Sequence, residues 1–185
     1  PDRATKPIAS GRFAEPPSSD DFARPTLGAQ WQWNHNPDDR RWSLTERPGF
    51  LRLHATRAAD LWSARNTLTQ KTQGPRGRAV VRLDLSGIRA GDRCGFGTFG
   101  KISAHLSVVG RGNGRRALAM TVTDSTEAGP VTETRVAAVP IAGSRLWLRT
   151  DTDFTTSAGQ VAYSQDGQRW TEVGRSFPLR FDWRT

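Results

Sequence analysis

Cysteine and long apolar runs are scarce in this sequence. Among 185 residues there is a single cysteine, Cys94, so no disulfide can form within the chain. Its position inside a predicted strand favours a buried, small apolar residue over a nucleophile. No run approaches the roughly 18 consecutive apolar residues that a membrane-spanning helix requires. A membrane is therefore not an expected partner.

Lysine is also scarce, although the chain is strongly basic. Of the 27 basic residues only Lys6, Lys71 and Lys101 are lysines, and the net charge is +9. The arginines are scattered, with adjacent pairs only at 40–41 and 115–116. A surface that follows a phosphate backbone usually clusters its cations on one face. Nucleic acid is therefore not an expected partner either.

Motifs for catalysis and metal binding are missing. His35, His54 and His105 are too widely spaced for a common zinc pattern, and no nucleophile elbow or phosphate loop is present. No pair among the acidic residues is distinguished as a glycosidase pair, so no catalytic residue is nominated. Asp151 and Asp153 share one predicted strand face. A solvated face is the favoured interpretation, and a structural calcium site is the alternative; no other cofactor is expected.

Short strands dominate the chain after its first residues. Residues 1–20 are rich in proline and serine without apolar periodicity, which predicts a linker, and a single module is expected over 21–185. Alternation predicts strands at 50–55, 79–85, 102–109, 117–122, 131–139, 146–154, 161–164 and 170–173. The Asp-Gly pair at 166–167 predicts a hairpin with a type I′ turn. No helical period is sustained, so an all-β sandwich or barrel is predicted.

Seven tryptophans provide the main candidates for binding. Trp147 and Trp170 lie in predicted strands, and core packing is expected for both. Trp31 and Trp33 alternate with Gln30, Gln32 and Asn34 in a segment dense in side-chain amides. Aromatic rings stack on sugar rings while amides bind hydroxyls, so the segment suits a carbohydrate. Packing onto a neighbouring domain explains the same residues equally well.

Three segments closely resemble a known domain. They are Leu27 to Asp38 (LGAQWQWNHNPD), Trp42 to Leu53 (WSLTERPGFLRL) and Ala64 to Gln70 (ARNTLTQ). Together with the later stretch Tyr163 to Gly167, they resemble the C-terminal domain of family 43 glycoside hydrolases, the β-xylosidase and α-L-arabinofuranosidase group. The resemblance covers roughly 18–183.

The resemblance implies a fold, a partner and a place of action. The fold would be a concanavalin A-like jelly roll, with two antiparallel sheets packed as a β-sandwich. Its partner would be the β-propeller that precedes it in such enzymes and carries the catalytic carboxylates. The sandwich would pack on that propeller and help to close a pocket for xylose or arabinose, an inverting hydrolysis being expected of the parent. An extracellular or periplasmic location follows from such a substrate. A further strand is expected after Thr185, so the module is expected to be cut short there.

Three functions are consistent with these observations. The first is an accessory module that supports the propeller and its pocket, and is not itself catalytic. The second is a free-standing carbohydrate-binding module for xylan-like chains, with a xylo- or arabino-oligosaccharide as ligand. The third is a lectin-like interaction domain, which rests on fold analogy alone. The residues expected to contact the sugar or the propeller are Trp31, Trp33, Asn34, His35, Asn36, Trp42, Arg65 and Asn66.

Overall fold

The computed structural model describes residues 11, 15, 17–125 and 132–180. The other residues of the predicted linker, and 181–185 where the cut end was expected, lie outside the described part. The strands within it are β1 (Trp31–Trp33), β2 (Trp42–Ser43), β3 (Arg52–Leu53), β4 (Leu68–Gln70), β5 (Arg76–Asp84), β6 (Arg93–Thr98), β7 (Ile102–Gly110), β8 (Arg116–Asp124), β9 (Thr132–Ile141), β10 (Arg145–Asp153), β11 (Ala158–Ser164), β12 (Thr171–Glu172) and β13 (Phe177–Pro178). A single 3-10 turn, Asp39–Arg41, precedes β2. Over the described ranges we find no helix with the length and apolar character needed to cross a membrane.

Two antiparallel sheets enclose the core. One has the order β6-β7-β8-β9, and the other has the order β12-β11-β10-β5, with β13 also pairing with β11. Inward-facing side chains from both sheets form one apolar cluster. Its most deeply buried members are Leu85, Ala104, Leu106, Val108, Leu118, Met120, Leu146, Leu148 and Val161. The predicted antiparallel sandwich is confirmed.

Side-chain alternation explains which face each long strand buries. In β10, Leu146 and Leu148 are fully buried, whereas Trp147 and Arg149 lie half-buried on the outer face. In β7, Leu106 faces the core, yet its neighbour His105 on the outer face is only 8% exposed. The strands predicted over 79–85, 102–109 and 117–122 are present as β5, β7 and β8, with ends that differ from the prediction by up to three residues.

The first part of the chain forms two small sheets, β1 with β4 and β2 with β3. A cationic contact attaches the second of them to the outer face of β5. Arg47 is ion-paired with Asp84, and the guanidinium carbons of Arg47 and Arg82 lie 4.0 and 5.1 Å from the centroid of the Phe50 ring. The strand predicted over 50–55 is reduced to two residues because its only partner, β2, is itself two residues long.

The hairpin predicted at Asp166-Gly167 is present, but its turn type is wrong. Gly167 has a positive φ of 77°, whereas Asp166 does not, so the type I′ geometry is excluded. The strands pair only from Tyr163 with Thr171, which leaves a longer loop. The Asp166 carboxylate holds that loop by accepting bonds from the backbone N–H groups of Gln168 and Arg169, both at 2.8 Å. These bonds lower the pKa of Asp166 to about 2.

Three expectations of burial are corrected. Trp147 and Trp170 are half-buried and lie outside the core. The Trp147 ring packs so closely on Gly167 that a Cβ there would lie 3.2 Å from it, and the Arg149 guanidinium lies 4.8 Å from the Trp170 ring. Cys94 is exposed because β6 has a described neighbour on one side only. Desolvation by the surrounding protein, reinforced by Asp92, raises the pKa of its thiol to about 11, so the thiol stays protonated at neutral pH.

Candidate interface site

The two tryptophans of β1 share one face, as predicted. Trp31 and Trp33 are half-buried while Gln32 between them is exposed. Trp31 makes two contacts within the domain. Its ring stacks on Phe22 with the centroids 5.6 Å apart, and its Nε1 donates to Asp20 Oδ2 at 2.8 Å. Neither its ring face toward Phe22 nor its N–H is therefore available to a ligand.

Trp33 pairs with a different aromatic residue. Its ring lies against Trp42, with 5.2 Å between the centroids and an angle of 51° between the planes. The Nε1 of Trp42 donates to Asp39 Oδ1 at 3.0 Å, and Asp39 opens the 3-10 turn that precedes β2. The turn therefore orients Trp42, and Trp42 in turn supports Trp33. This pair brings two of the predicted contact residues together at the surface.

The predicted amides bind protein backbone. Asn34 Nδ2 donates to the carbonyl oxygen of Trp62 at 2.9 Å, and His35 Nε2 lies 2.7 Å from the same oxygen. Because a carbonyl only accepts, the His35 bond requires the proton on Nε2. The backbone N–H of Asn34 donates to the carbonyl of Thr67, also at 2.9 Å. Both side chains therefore join their own loop to the segment 62–67.

Asn66 and Arg65 make the reciprocal contacts. The N–H of Asp38 donates to Asn66 Oδ1 at 3.1 Å, and Asn66 Nδ2 donates to the Asp38 carbonyl at 3.4 Å. Arg65 Nε donates to the carbonyl of Asn36 at 2.9 Å. We call the two joined segments, 34–38 and 62–67, the loop latch. Four of the five polar candidate residues bind through their side chains within the loop latch. The exception is Asn36, which contributes only its carbonyl.

Trp62 is a central residue of the latch that sequence reasoning left without a role. Its carbonyl accepts from both Asn34 and His35, and its ring stacks on Phe99 with the centroids 5.2 Å apart and the planes 23° apart. Phe99 lies in the turn between β6 and β7, so this stacking ties the latch to the main sandwich. The only signal in the sequence is the short apolar pair Leu61-Trp62 in a polar loop.

Charged groups border the latch. Arg40 donates from Nε and Nη2 to the two carboxylate oxygens of Asp38, each at 3.0 Å, and these bonds hold the pKa of Asp38 below its usual value. Asp60 accepts from the N–H and hydroxyl of Ser63, which lowers its pKa likewise. Both carboxylates are therefore ionised structural acceptors at neutral pH.

The candidate residues lie apart from two depressions in the described part of the chain. One depression is beside Arg111 and Ile141, and the other is beside Tyr163 and Asp166. None of the eight candidates lines either depression. An oligosaccharide site usually needs a concave cavity that covers much of the ligand. The geometry of this region therefore resembles a docking surface more than a sugar groove.

The calcium alternative at Asp151 and Asp153 meets competing cations. Asp151 Oδ1 lies 2.6 Å from Arg78 Nε and its Oδ2 lies 2.8 Å from Arg149 Nε. Asp153 is paired with Arg76 at 2.8 Å. Bonds from Thr155, with a further contribution from Arg76, lower the pKa of Asp153 to about 2. Within the described ranges no cluster of three potential metal ligands is found. These carboxylates already neutralise arginines, so calcium binding there remains a prediction that the geometry does not favour.

Comparison with known protein families decides what kind of domain this is. Residues 19–182 match the family described as the beta xylosidase C-terminal concanavalin A-like domain. The chain belongs to this family. The concanavalin A-like sandwich implied by the resemblance is thereby confirmed for this C-terminal domain, and the match spans β1 to β13.

Individual relatives are glycoside hydrolases. A β-xylosidase of Formosa agariphila is 32% identical over 199 residues, which cover 95% of this chain and 32% of that protein. A bifunctional GH43-CE protein of Bacteroides eggerthii superposes with a TM-score of 0.80 at 32% identity, over 89% of this chain and 21% of that one. A GH43 glycoside hydrolase engineered to show endo-xylanase and exo-arabinofuranosidase activity superposes with a TM-score of 0.81 at 30% identity, over 95% and 36% of the two chains. The concanavalin A-like domain therefore spans about a third of the β-xylosidase it matches.

Proposed function

We propose that this domain is the accessory C-terminal module of a β-xylosidase-type enzyme, and that it docks on the catalytic domain and helps to shape the substrate pocket. The relatives support this assignment, since each carries a similar domain within a much longer chain. The docking surface comprises the Trp33–Trp42 pair and the loop latch. The parent hydrolyses the xylose or arabinose linkages of xylan-like chains.

The loop latch is the observation that carries this proposal. Its amide, imidazole and guanidinium groups are used to fix two loops to each other. What remains at the surface is a rigid frame bearing the partly exposed aromatic rings of Trp33 and Trp42. Tryptophan and arginine are enriched in protein interfaces, and a surface that is already ordered loses little conformational entropy on docking.

The test is association with the catalytic domain. The catalytic domain and the 185-residue chain are expressed separately, mixed, and analysed by sedimentation velocity and by hydrolysis of an aryl xyloside. The proposal predicts a complex, and higher activity of the catalytic domain when the chain is present. Trp33→Ala should weaken both effects at least about tenfold, as for a central interface tryptophan. Trp170→Ala changes a half-buried tryptophan next to β12, outside the proposed docking surface; it serves as the matched control and should change neither. Absence of any complex would refute the docking role.

A carbohydrate-binding module is the competing function. It is favoured by the exposed Gln32, His35 and Asn36 beside Trp33, which are polar groups at the edge of an aromatic surface. Calorimetric titration with xylohexaose, with cellohexaose as the control sugar, distinguishes the two functions. Saturable xylohexaose binding that is lost in Trp33→Ala would establish the module as a sugar binder. Absence of any binding heat at millimolar xylohexaose would exclude the carbohydrate-binding function.

A further inference from the structure

One groove is lined by three arginines outside the docking surface. It lies at the end of the β8–β9 pair where Arg116 is opposite Ile141. Arg111, Arg115 and Arg116 form its rim, and the floor is apolar, with Ala117, Val139 and Pro140. We call this depression the arginine groove. In the sequence the three arginines lie within six residues, and the fold sets them beside the apolar residues of β9 to form one concave surface.

A tight turn sets the first two arginines side by side. Gly112, Asn113 and Gly114 all have positive φ angles, of 78°, 50° and 68°. The N–H of Arg111 donates to the carbonyl of Arg115 at 2.9 Å and closes the turn. Three successive residues with left-handed backbone reverse the chain direction, so Arg111 and Arg115 lie opposite each other at the base of the turn. A residue with a branched side chain at Asn113 would be strained there.

Arg116 is held rigidly in its position. Its Nη1 donates to the carbonyls of Gly114, at 3.2 Å, and Gly143, at 2.9 Å, and its Nη2 donates to the carbonyl of Leu85 at 3.2 Å. These are neutral acceptors, and its buried Nε has no hydrogen-bond partner in the described structure. No carboxylate among the described residues forms an ion pair with Arg116, so no opposite charge balances its guanidinium at the groove.

Among the described residues, those that line the groove include no negative charge to balance the three arginines. None of its lining residues is a carboxylate, and Arg111 and Arg115 are exposed and form no ion pair within the described part of the chain. An unbalanced group of cations around a concave surface is suited to an anionic ligand.

We propose that the arginine groove binds a carboxylate-bearing saccharide, namely a uronic-acid branch on a xylan-like chain. The guanidinium fork matches a carboxylate through two parallel N–H···O bonds. The apolar floor suits the face of a sugar ring, which a phosphate-only site would not require. The cations lie together at one end of the sheet and do not form a track, which disfavours a nucleic-acid backbone.

The choice of a saccharide rests on the proposed function, since a xylan-degrading parent meets such branches on its substrate. The two proposals remain separable. Docking on the catalytic domain is measured without any acidic sugar, and uronate binding is measured on the 185-residue chain without any catalytic domain. Loss of one result leaves the other interpretable.

The experiment compares two sugars that differ by one charged branch. The chain is titrated by calorimetry and by ¹H–¹⁵N NMR with xylotriose that carries a glucuronic-acid branch, and with unbranched xylotriose. At low salt the acidic sugar should bind about tenfold more tightly, a preference that falls as salt is added. Its NMR shifts should map to residues 111–116 and 138–141 of the unmodified chain.

A matched pair of variants tests the assignment. Arg111→Gln/Arg115→Gln should abolish the preference for the acidic sugar. Arg175→Gln/Arg180→Gln removes the same charge from exposed positions outside the groove and should retain it. Equal affinity for the two sugars, an equal loss in both variants, or shifts confined to other residues would each overturn the proposal. Tighter binding of single-stranded DNA at the same residues would also overturn it.

Discussion

Arg93 and Glu133 form an ion pair, with 2.8 Å between Nη1 and Oε1, although two strands lie between their own strands in the sheet. Arg93 belongs to β6 and Glu133 to β9, the two outer strands of the order β6-β7-β8-β9. The twist of a sheet brings diagonal corners toward each other on one face. The pair therefore lies across the outer face of β7 and β8. His105 lies on this face, is only 8% exposed, and has no described hydrogen-bond partner at Nδ1.

This geometry predicts opposite pKa changes for His105 in two variants. Desolvation lowers the pKa of His105, Glu133 raises it, and Arg93 lowers it. Glu133→Gln should therefore lower the pKa further, whereas Arg93→Gln should raise it. The measurement is an NMR pH titration of the His105 imidazole signals. Arg145→Gln, an exposed arginine on the other sheet, is the control and should leave the titration unchanged. Shifts of the same sign in both variants would contradict this account.

The free energy of unfolding should depend on pH through His105. Because its pKa is lowered in the folded state, the unfolded chain binds more protons below the ordinary histidine value of about 6.5. The contribution of neutral His105 to the free energy of unfolding is therefore fully present above about pH 6.5. It decreases as the pH drops toward the folded pKa, by at most about 1.4 kcal/mol per pH unit. Urea unfolding between pH 7.5 and 5 measures this slope. The ionised Asp153 and Asp166 carboxylates, with pKa values of about 2, also stabilise the folded state, but their contribution is lost only below about pH 4, outside this range.

The matched variant for that experiment is His105→Gln. It is expected to be less stable at pH 7.5 but to show a smaller decrease between pH 7.5 and 5. An unchanged slope in His105→Gln would show that another group is responsible.

The loop latch should depend on Asn66 and not on Asn36. Asn66→Ala removes both bonds to the backbone of Asp38 and should lower the free energy of unfolding by about 1–2 kcal/mol, since partly buried backbone groups lose their partners. Amide hydrogen exchange of residues 34–38 should accelerate with it. Asn36→Ala is the control because the Asn36 side chain is exposed and makes no described bond. Equal effects of the two variants would refute the latch.

The sequence predicts that the linker ends at residue 20 and the module begins at residue 21, and this boundary can be tested at Asp20. Asp20 accepts from the indole N–H of Trp31 and from the backbone N–H of Phe22, both at 2.8 Å. Asp20→Ala should cost about 1–3 kcal/mol of stability, since it removes bonds to a charged acceptor, and should shift the Trp31 indole N–H signal. Asp21→Ala, which removes one exposed bond to Ala23, should cost less than half as much. If the two cost the same, the folded module begins after Asp20.

Several features of the fold could be predicted from alternation alone. Val81 and Leu83 flank the polar Arg82, and that pattern predicted a strand with one buried face. The segments around Trp31 and Trp42 were specific enough to indicate the family. The turn at Asp166-Gly167 could not be predicted in detail, because an aspartate that caps a loop and one that enters a type I′ turn have the same sequence signature.

The sequence by itself determined the all-β architecture, the family and the face shared by Trp31 and Trp33, because these depend on local period and residue order. Only the tertiary structure decided how the polar candidate residues are used. Asn34 and Trp62 are 28 residues apart, and no local rule predicts that an amide apparently suited to a sugar hydroxyl binds a distant carbonyl. The fold likewise decided that Arg93 reaches Glu133, and that the arginines of 111–116 border a groove whose floor includes Val139 of β9. Such contacts arise from sheet twist and strand order, which bring together residues that are not neighbours in the sequence.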